Sequence, residues 1–228
     1  MRKYLLLTAA FIWVNTLLAQ QTTVVTQKLK GRISLFYHVL TNDPAIRSGL
    51  FQVRYNKRTA LASGLYANNK KIGIWHFFDM HGHLIQNFNF TTNTLTYEAP
   101  EDSAHTFHYR FDKTVDSTDV LTKPIRIGGR CWGYLPYFID LKKPPDYDNT
   151  GETPMSLMAE LLVSPGGRLA DLTIHVTSVY GTDHFKVNLN LIADEDKIFI
   201  PATVNKTPVS CRIFINYHYN AHNLPVFD

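Results

Sequence analysis

The 228 residues include only two cysteines, Cys131 and Cys211. A metal centre needs three or four converging ligands, more than this pair offers. In an exported chain the two could form one disulfide bridge, whereas Cys211 read within its own segment is an ordinary buried strand residue. Charge is scarce as well, at 18% Asp, Glu, Lys and Arg against 45% apolar residues, so the chain can bury a core and is not expected to be disordered. The short motifs of chemistry are missing: no Gly-x-Ser-x-Gly, no Gly-x-Gly-x-x-Gly, no Walker-type loop and no Cys-x-x-Cys occurs. No cofactor is expected, and an uncharacterised hydrolase is the weakest of the readings left open.

Long apolar runs are confined to the first 19 residues. Arg2 and Lys3 precede an apolar stretch over residues 4–14, and Leu17-Leu18-Ala19 leads to a polar start at Gln20. A basic start, a run short for a membrane span and a small residue at the cut site predict a signal peptide over 1–19, cleaved near Ala19. The rival expectation is an uncleaved N-terminal anchor. Without Arg2 and Lys3 the formal charge falls from +4 to +2. Residues 21–99 hold nine Lys and Arg against three Asp and Glu. This basic part could touch an anionic membrane surface or a cell-wall polymer weakly, but its charges are dispersed like those of a solvated face, and nucleic acid is not expected as a partner.

What the chain does have is sheet-forming material, with 12 Tyr and 14 Phe. Residues 157–163 form a short apolar run, and Ser164-Pro165-Gly166-Gly167 supplies a fixed φ and two permissive positions for a reversal. Ala170, Leu172, Ile174 and Val176 then alternate with Asp171, Thr173 and His175, which completes a hairpin. After the turn Asn205-Lys206-Thr207-Pro208, which should keep proline outside the strand, residues 209–219 place Val209, Cys211, Ile213, Ile215, Tyr217 and Tyr219 on one face. The small-residue turn followed by Asp171, the step Ile200-Pro201-Ala202 and the run Lys206-Thr207-Pro208-Val209 together resemble the C-terminal domain of TonB, over about 65 residues. The resemblance implies a three-stranded antiparallel sheet with one helix over 155–220, the helix falling at 183–194. Asp183 as N-cap and the spacing of Phe185, Leu189 and Ile192 favour that helix, whereas the alternation of Phe185, Val187, Leu189 and Leu191 with Lys186, Asn188 and Asn190 favours a strand.

Upstream, glycines recur before aromatic residues. Gly64, Tyr66, Gly73, Trp75, Phe77 and Gly82, with Asn69-Lys70 where Asn-Gly is usual, resemble a MORN-type repeat. The likeness spans residues 46–97 and implies a flat, elongated hairpin sheet used for attachment, without catalysis. The expected fold is therefore α+β and predominantly antiparallel β: MORN-like hairpins over 20–98, linker and connecting strands over 99–154, the TonB-like domain over 155–220 and a tail over 221–228. Trp132, Tyr134, Tyr137 and Phe138 form an aromatic cluster that either joins the two parts when buried or offers a partner patch when exposed.

Candidate chemical groups are few. His76, His81 and His83 surround one hairpin and His218 and His222 lie four apart, but no carboxylate or cysteine is spaced to complete a metal site. Asp194-Glu195-Asp196 reads as a solvated turn. The expected function is that of a non-enzymatic envelope or periplasmic binding or scaffold protein. It would engage a protein partner, or a second copy of itself, by strand addition at an exposed edge formed by Arg212, Ile213, Phe214, Ile215, Asn216 and Tyr217. An accessory component of TonB-linked transport, held by the uncleaved N-terminal helix, is the alternative. The long Pro/Lys-rich spacer of an energy-coupling TonB protein is missing from this sequence.

Overall fold

In the computed structural model, residues 21–101, 106–142 and 155–227 are described. The expected signal peptide lies outside them, as does the 143–154 part of the expected linker. The first sheet is a seven-stranded antiparallel meander of β1 (Thr22–Lys28), β2 (Ile33–Leu40), β3 (Asp43–Tyr55), β4 (Thr59–Ala67), β5 (Lys70–Phe78), β6 (Leu84–Asn89) and β7 (Thr94–Glu98), neighbours in sequence being neighbours in space. Tight turns make this possible. At Asn56-Lys57 and Asn68-Asn69 both central residues have positive φ, the geometry whose twist matches that of the flanking strands. Along one face, Trp75 stacks at ring distances of 5.3–5.6 Å from Tyr66, Phe51 and Phe90. Its indole lies against the bare backbone of Gly64, where an added Cβ would come within 2.2 Å of it. The six MORN-like positions thus divide into two roles: Gly64, Tyr66, Trp75 and Phe77 build this aromatic face, while Gly73 and Gly82 take positive φ at a register shift and a hairpin tip.

The rest of the chain supplies β8 (Phe107–Phe111), β9 (Leu121–Thr122), β10 (Ile125–Arg126), the single turn α1 (Leu135–Phe138), β11 (Ser156–Val163), β12 (Leu169–Ser178), β13 (Gly181–Lys186), β14 (Phe199–Ile200), β15 (Ala202–Val204), β16 (Thr207–Val209), β17 (Cys211–Tyr219) and β18 (Pro225–Val226). The second sheet runs β13-β12-β11-β17, with both β8 and β18 on the far side of β17. Alternation sets its core: Leu157, Ala159, Leu161, Leu172, Ile174, Ile213 and Ile215 are all buried on one face. The reversal at 164–167 forms as its residues dictate. Gly167 takes φ +69 and Phe199 packs so close that a Cβ would meet its carbonyl oxygen at 2.3 Å.

Several expectations need correction. Residues 183–194 do not form the helix of the TonB-like pattern; they continue as β13 and then as two 3-10 turns, Leu189–Leu191 and Asp194–Lys197. The two-residue period wins because β12 has an open side whose partners Ile174 and Val176 receive Phe185 and Asp183 in register. The strand carrying Arg212, Ile213, Phe214, Ile215, Asn216 and Tyr217 is not an edge: β11 pairs with 211–217 on one side, and β8 and β18 cover the other. Cys131 and Cys211 are free thiols; the first packs against the core of the seven-stranded sheet and the second lies on β17 of the other sheet. Pro208 falls inside a strand after all, in β16, one of the two outer strands of the small sheet β16-β15-β9. Antiparallel β-structure is what the expected fold class and the structure share; α-helix among the described residues is limited to α1.

The two sheets meet through residues 125–142. Tyr134, Tyr137 and Phe138 are buried in the core of the second sheet, and Leu135 in that of the first. Gln86 of β6 is fully buried, and its amide meets the loop: Oε1 accepts the N–H groups of Gly128 and Gly129 at 2.8 and 3.0 Å, and Nε2 donates to Arg126 O and Glu98 Oε2. A buried amide with all these partners fixes the loop instead of destabilising the core.

Candidate functional site

Between the sheets opens a cleft of about 1120 Å³, walled by Met80, Leu84, Ile85, Ala99, Phe107, Leu135 and Phe227 and rimmed by Asp79, His81, His83, Glu101 and Arg130. Its carboxylates and Arg130 are held by neighbouring side chains or backbone. Asp79 Oδ1 accepts the N–H groups of His81 and His83 at 2.9 and 2.8 Å, and Oδ2 lies 2.9 Å from the His83 ring nitrogen Nδ1. Burial pushes the Asp79 carboxyl up, but these donors outweigh it and leave the pKa below the ordinary aspartate range. Glu101 accepts from Tyr109 at 2.6 Å and pairs with Lys123 at 2.7 Å, and Arg130 donates to Pro100 O. Burial, with Asp79 adding to it, pushes the Cys131 thiol up to about 12, so at neutral pH it is protonated and a poor nucleophile. These side chains hold the hairpin tip and the 99–101 segment in place, and none of them is arranged as a nucleophile beside an activating base.

Of the histidines singled out, His76 bonds Asn87 at 2.7 Å and His81 and His83 stand 6.1 Å apart ring to ring. Among the described residues no three His, Cys, Asp or Glu side chains converge as metal ligands. Asp194, Glu195 and Asp196 do not act together. Asp194 faces Arg168 and Lys197, Glu195 reaches Lys71 of β5 at 2.9 Å, and Asp196 meets the buried Arg126.

The six residues expected to capture a partner separate by face. Ile213, Ile215 and Tyr217 point into the core, whereas Arg212 and Phe214 are half-buried on the outer face. There Arg212 donates to Glu160 Oε1 at 2.7 Å, Glu160 Oε2 lies 2.9 Å from His175 Nε2, and Arg110 stacks 5.1 Å over Phe214. Burial raises the Glu160 pKa, but Arg212 and His175 outweigh it and the carboxyl ends below its ordinary range. Asn216 donates its N–H to Thr106 O, so the backbone here is already spoken for.

Open backbone lies elsewhere. In the second sheet β13 is terminal and all six of its residues are exposed. Val187 N–H donates to Leu172 O, so in this regular ladder the odd-numbered residues face β12 and Thr182, His184 and Lys186 turn their N–H and C=O groups outward. The signal for this edge was in the sequence, as the alternation of Thr182, His184 and Lys186 with Asp183, Phe185 and Val187, and the helical reading masked it. In the first sheet β1 and β7 are terminal. No family model, curated protein or solved structure matches the chain.

Proposed function

We propose that this is a non-enzymatic binding protein of the cell envelope, exported by its N-terminal segment, in which a TonB-like C-terminal domain engages a protein partner by strand addition and a MORN-like sheet serves as its scaffold. The observation that carries the reading is the open edge of β13, where three residues direct backbone groups outward that nothing among the described residues pairs. Asp183 and Lys186 put charge of both signs along that edge. Charge resists indiscriminate pairing, so the strand that fits is one with complementary side chains. The cleft supports the same reading, because its carboxylates and Arg130 are held by neighbouring side chains or backbone and its thiol is protonated.

The test uses His184→Pro. Proline at an outward-facing edge position deletes one docking N–H without touching the ladder to β12. A tagged wild-type chain should co-purify an envelope protein that the variant fails to retain, with the far-ultraviolet circular dichroism of the two superimposing. Equal retention by both would remove β13 as the docking edge.

A further inference from the structure

Edges of sheets in solution are ordinarily protected by bulges, charge or proline. In the seven-stranded sheet β7 pairs with β6 through a shifted register and ends in Glu98. β1 has none of these protections along most of its length. Its ladder to β2 runs from Thr22↔Leu40 to Lys28↔Ser34 without a shift, whereas every other ladder of that sheet is interrupted by one. Its sequence, Thr-Thr-Val-Val-Thr-Gln-Lys, contains no proline or glycine and only one charge, at the last position. Six of its seven residues are exposed, Val24 at 57%.

The hydrogen bonds at its two ends fix which backbone groups are open. Thr41 N–H donates to Gln21 O and Leu29 N–H to Ile33 O, so the odd-numbered residues face β2. Thr22, Val24, Thr26 and Lys28 therefore point four N–H and four C=O groups away from the sheet, and among the described residues nothing pairs with them. Spaced two apart along a regular strand, they form a template for an antiparallel partner.

We infer that this partner is a second copy of the chain, joined β1 to β1 about a two-fold axis through Val25. A two-fold axis normal to a sheet must bring residues of equal parity together, because opposed side chains share a face. The register centred on Val25 does so, and it sets the four outward-facing residues against one another: Thr22 opposes Lys28 of the other copy and Val24 opposes Thr26. On the core-side face Val25 opposes Val25 and Thr23 opposes Gln27. The single charge, Lys28, is met by a threonine and not by its own image, so no like charges are opposed. Val25 pairs with Tyr37 across the β1–β2 ladder, so the Val25 contact prolongs the apolar side of both sheets into one fourteen-stranded surface. This surface is remote in the topology from β13, and the inference does not depend on the proposed docking there.

A contact made by one strand is at the small end of protein interfaces, below about 1,200 Å² in total, so the experiment traps it covalently. In this register Val25 meets its copy at a position without direct backbone bonds, where Cα atoms lie about 4.5 Å apart, within disulfide reach. The full-length protein bearing Val25→Cys should give a band of twice the chain mass under mild oxidation. Gln27→Cys, displaced by four residues from its own copy, and Thr96→Cys on β7 should not. Adding Thr26→Pro, which deletes one outward N–H on each copy, should abolish the Val25→Cys cross-link while leaving the circular dichroism unchanged. Wild-type chain should also sediment faster as its concentration rises, and Thr26→Pro should not. A Val25→Cys chain that stays single, or that cross-links no faster than Thr96→Cys, overturns the inference, and preferential cross-linking at Gln27→Cys overturns the register.

Discussion

Arg126 and Asp196 lie 3.2 Å apart, a guanidinium almost wholly buried and a carboxylate at the mouth of its burial site. The same arginine donates from Nε to Gly133 O and from Nη1 to Ile127 O and Ile198 O, and its plane rests on the rings of Tyr137 and Phe199. One side chain thus ties β10, the α1 loop and the start of β14 together where the two sheets meet. Arg126→Met keeps most of the volume but strands three carbonyls and the Asp196 carboxyl. Removing one partner of such a buried network costs about 3–5 kcal/mol. Urea unfolding followed by tryptophan fluorescence should show a midpoint lowered accordingly, and Arg126→Lys should not restore it, since an ammonium cannot span the same fork.

Gly64→Ala tests the aromatic face. The new methyl would lie 2.2 Å from the Trp75 indole, and the indole is held by its own donation to Leu65 O and by rings on either side. Overpacking of this kind costs about 1–3 kcal/mol. A thermal melt should register the loss, accompanied by a shift in tryptophan emission; a melt identical to wild type would mean that the indole can move aside freely.

How far these features were legible depends on what kind of physics set them. Alternation of period two is local, and it identified the inward faces of β12 and β17 from residues such as Leu172, Ile174, Ile213 and Ile215. The reversal at Gly166-Gly167 followed from the same kind of local reading, whereas the close approach of Trp75 to Gly64, across the paired strands β4 and β5, did not. Which strand lies beside which is not local. β8 comes from the stretch read as linker and connecting strands, with no partner assigned to it, and β18 from one read as tail, and both close the far side of β17, where an edge was expected. Gln86 and Arg126 carry no sequence signal of their burial, because the loop and strand that enclose them include partners about 40 and 70 positions away. Residues 183–194 were decided by tertiary context: the sequence permitted a helix, and an unpaired β12 offered more.

The outer face of the second sheet should make stability depend on pH. The Glu160 carboxyl titrates below its ordinary value of 4.5 because Arg212 and His175 outweigh its burial. With a depressed folded pKa, the unfolded chain takes up the proton first as pH falls. The stabilisation is therefore complete above the ordinary carboxylate pKa and is lost as pH drops through the folded value. Glu160→Gln should cost about 1–3 kcal/mol at neutral pH by leaving the Arg212 guanidinium short of the nearer of its two charged acceptors, Asp112 being the other, and the gap from wild type should close in acid. Denaturation midpoints at a series of pH values measure this, and a gap that widens on acidification would contradict the assignment.

Proline placed in turn on β17 and β13 separates an interior strand from an edge. Ile213 opposes Leu161 on one side and Tyr109 on the other, and its side chain is fully buried. Proline there deletes an N–H from the middle of the sheet and leaves a cavity where isoleucine was, so Ile213→Pro should abolish the cooperative unfolding transition and the near-ultraviolet circular dichroism. His184→Pro should leave both intact, since the N–H it removes faces solvent and β12 keeps its ladder through Asp183 and Phe185. If the two variants are equally folded, β17 cannot be enclosed by β11 and β8 in solution; if both are unfolded, β13 is not an open edge.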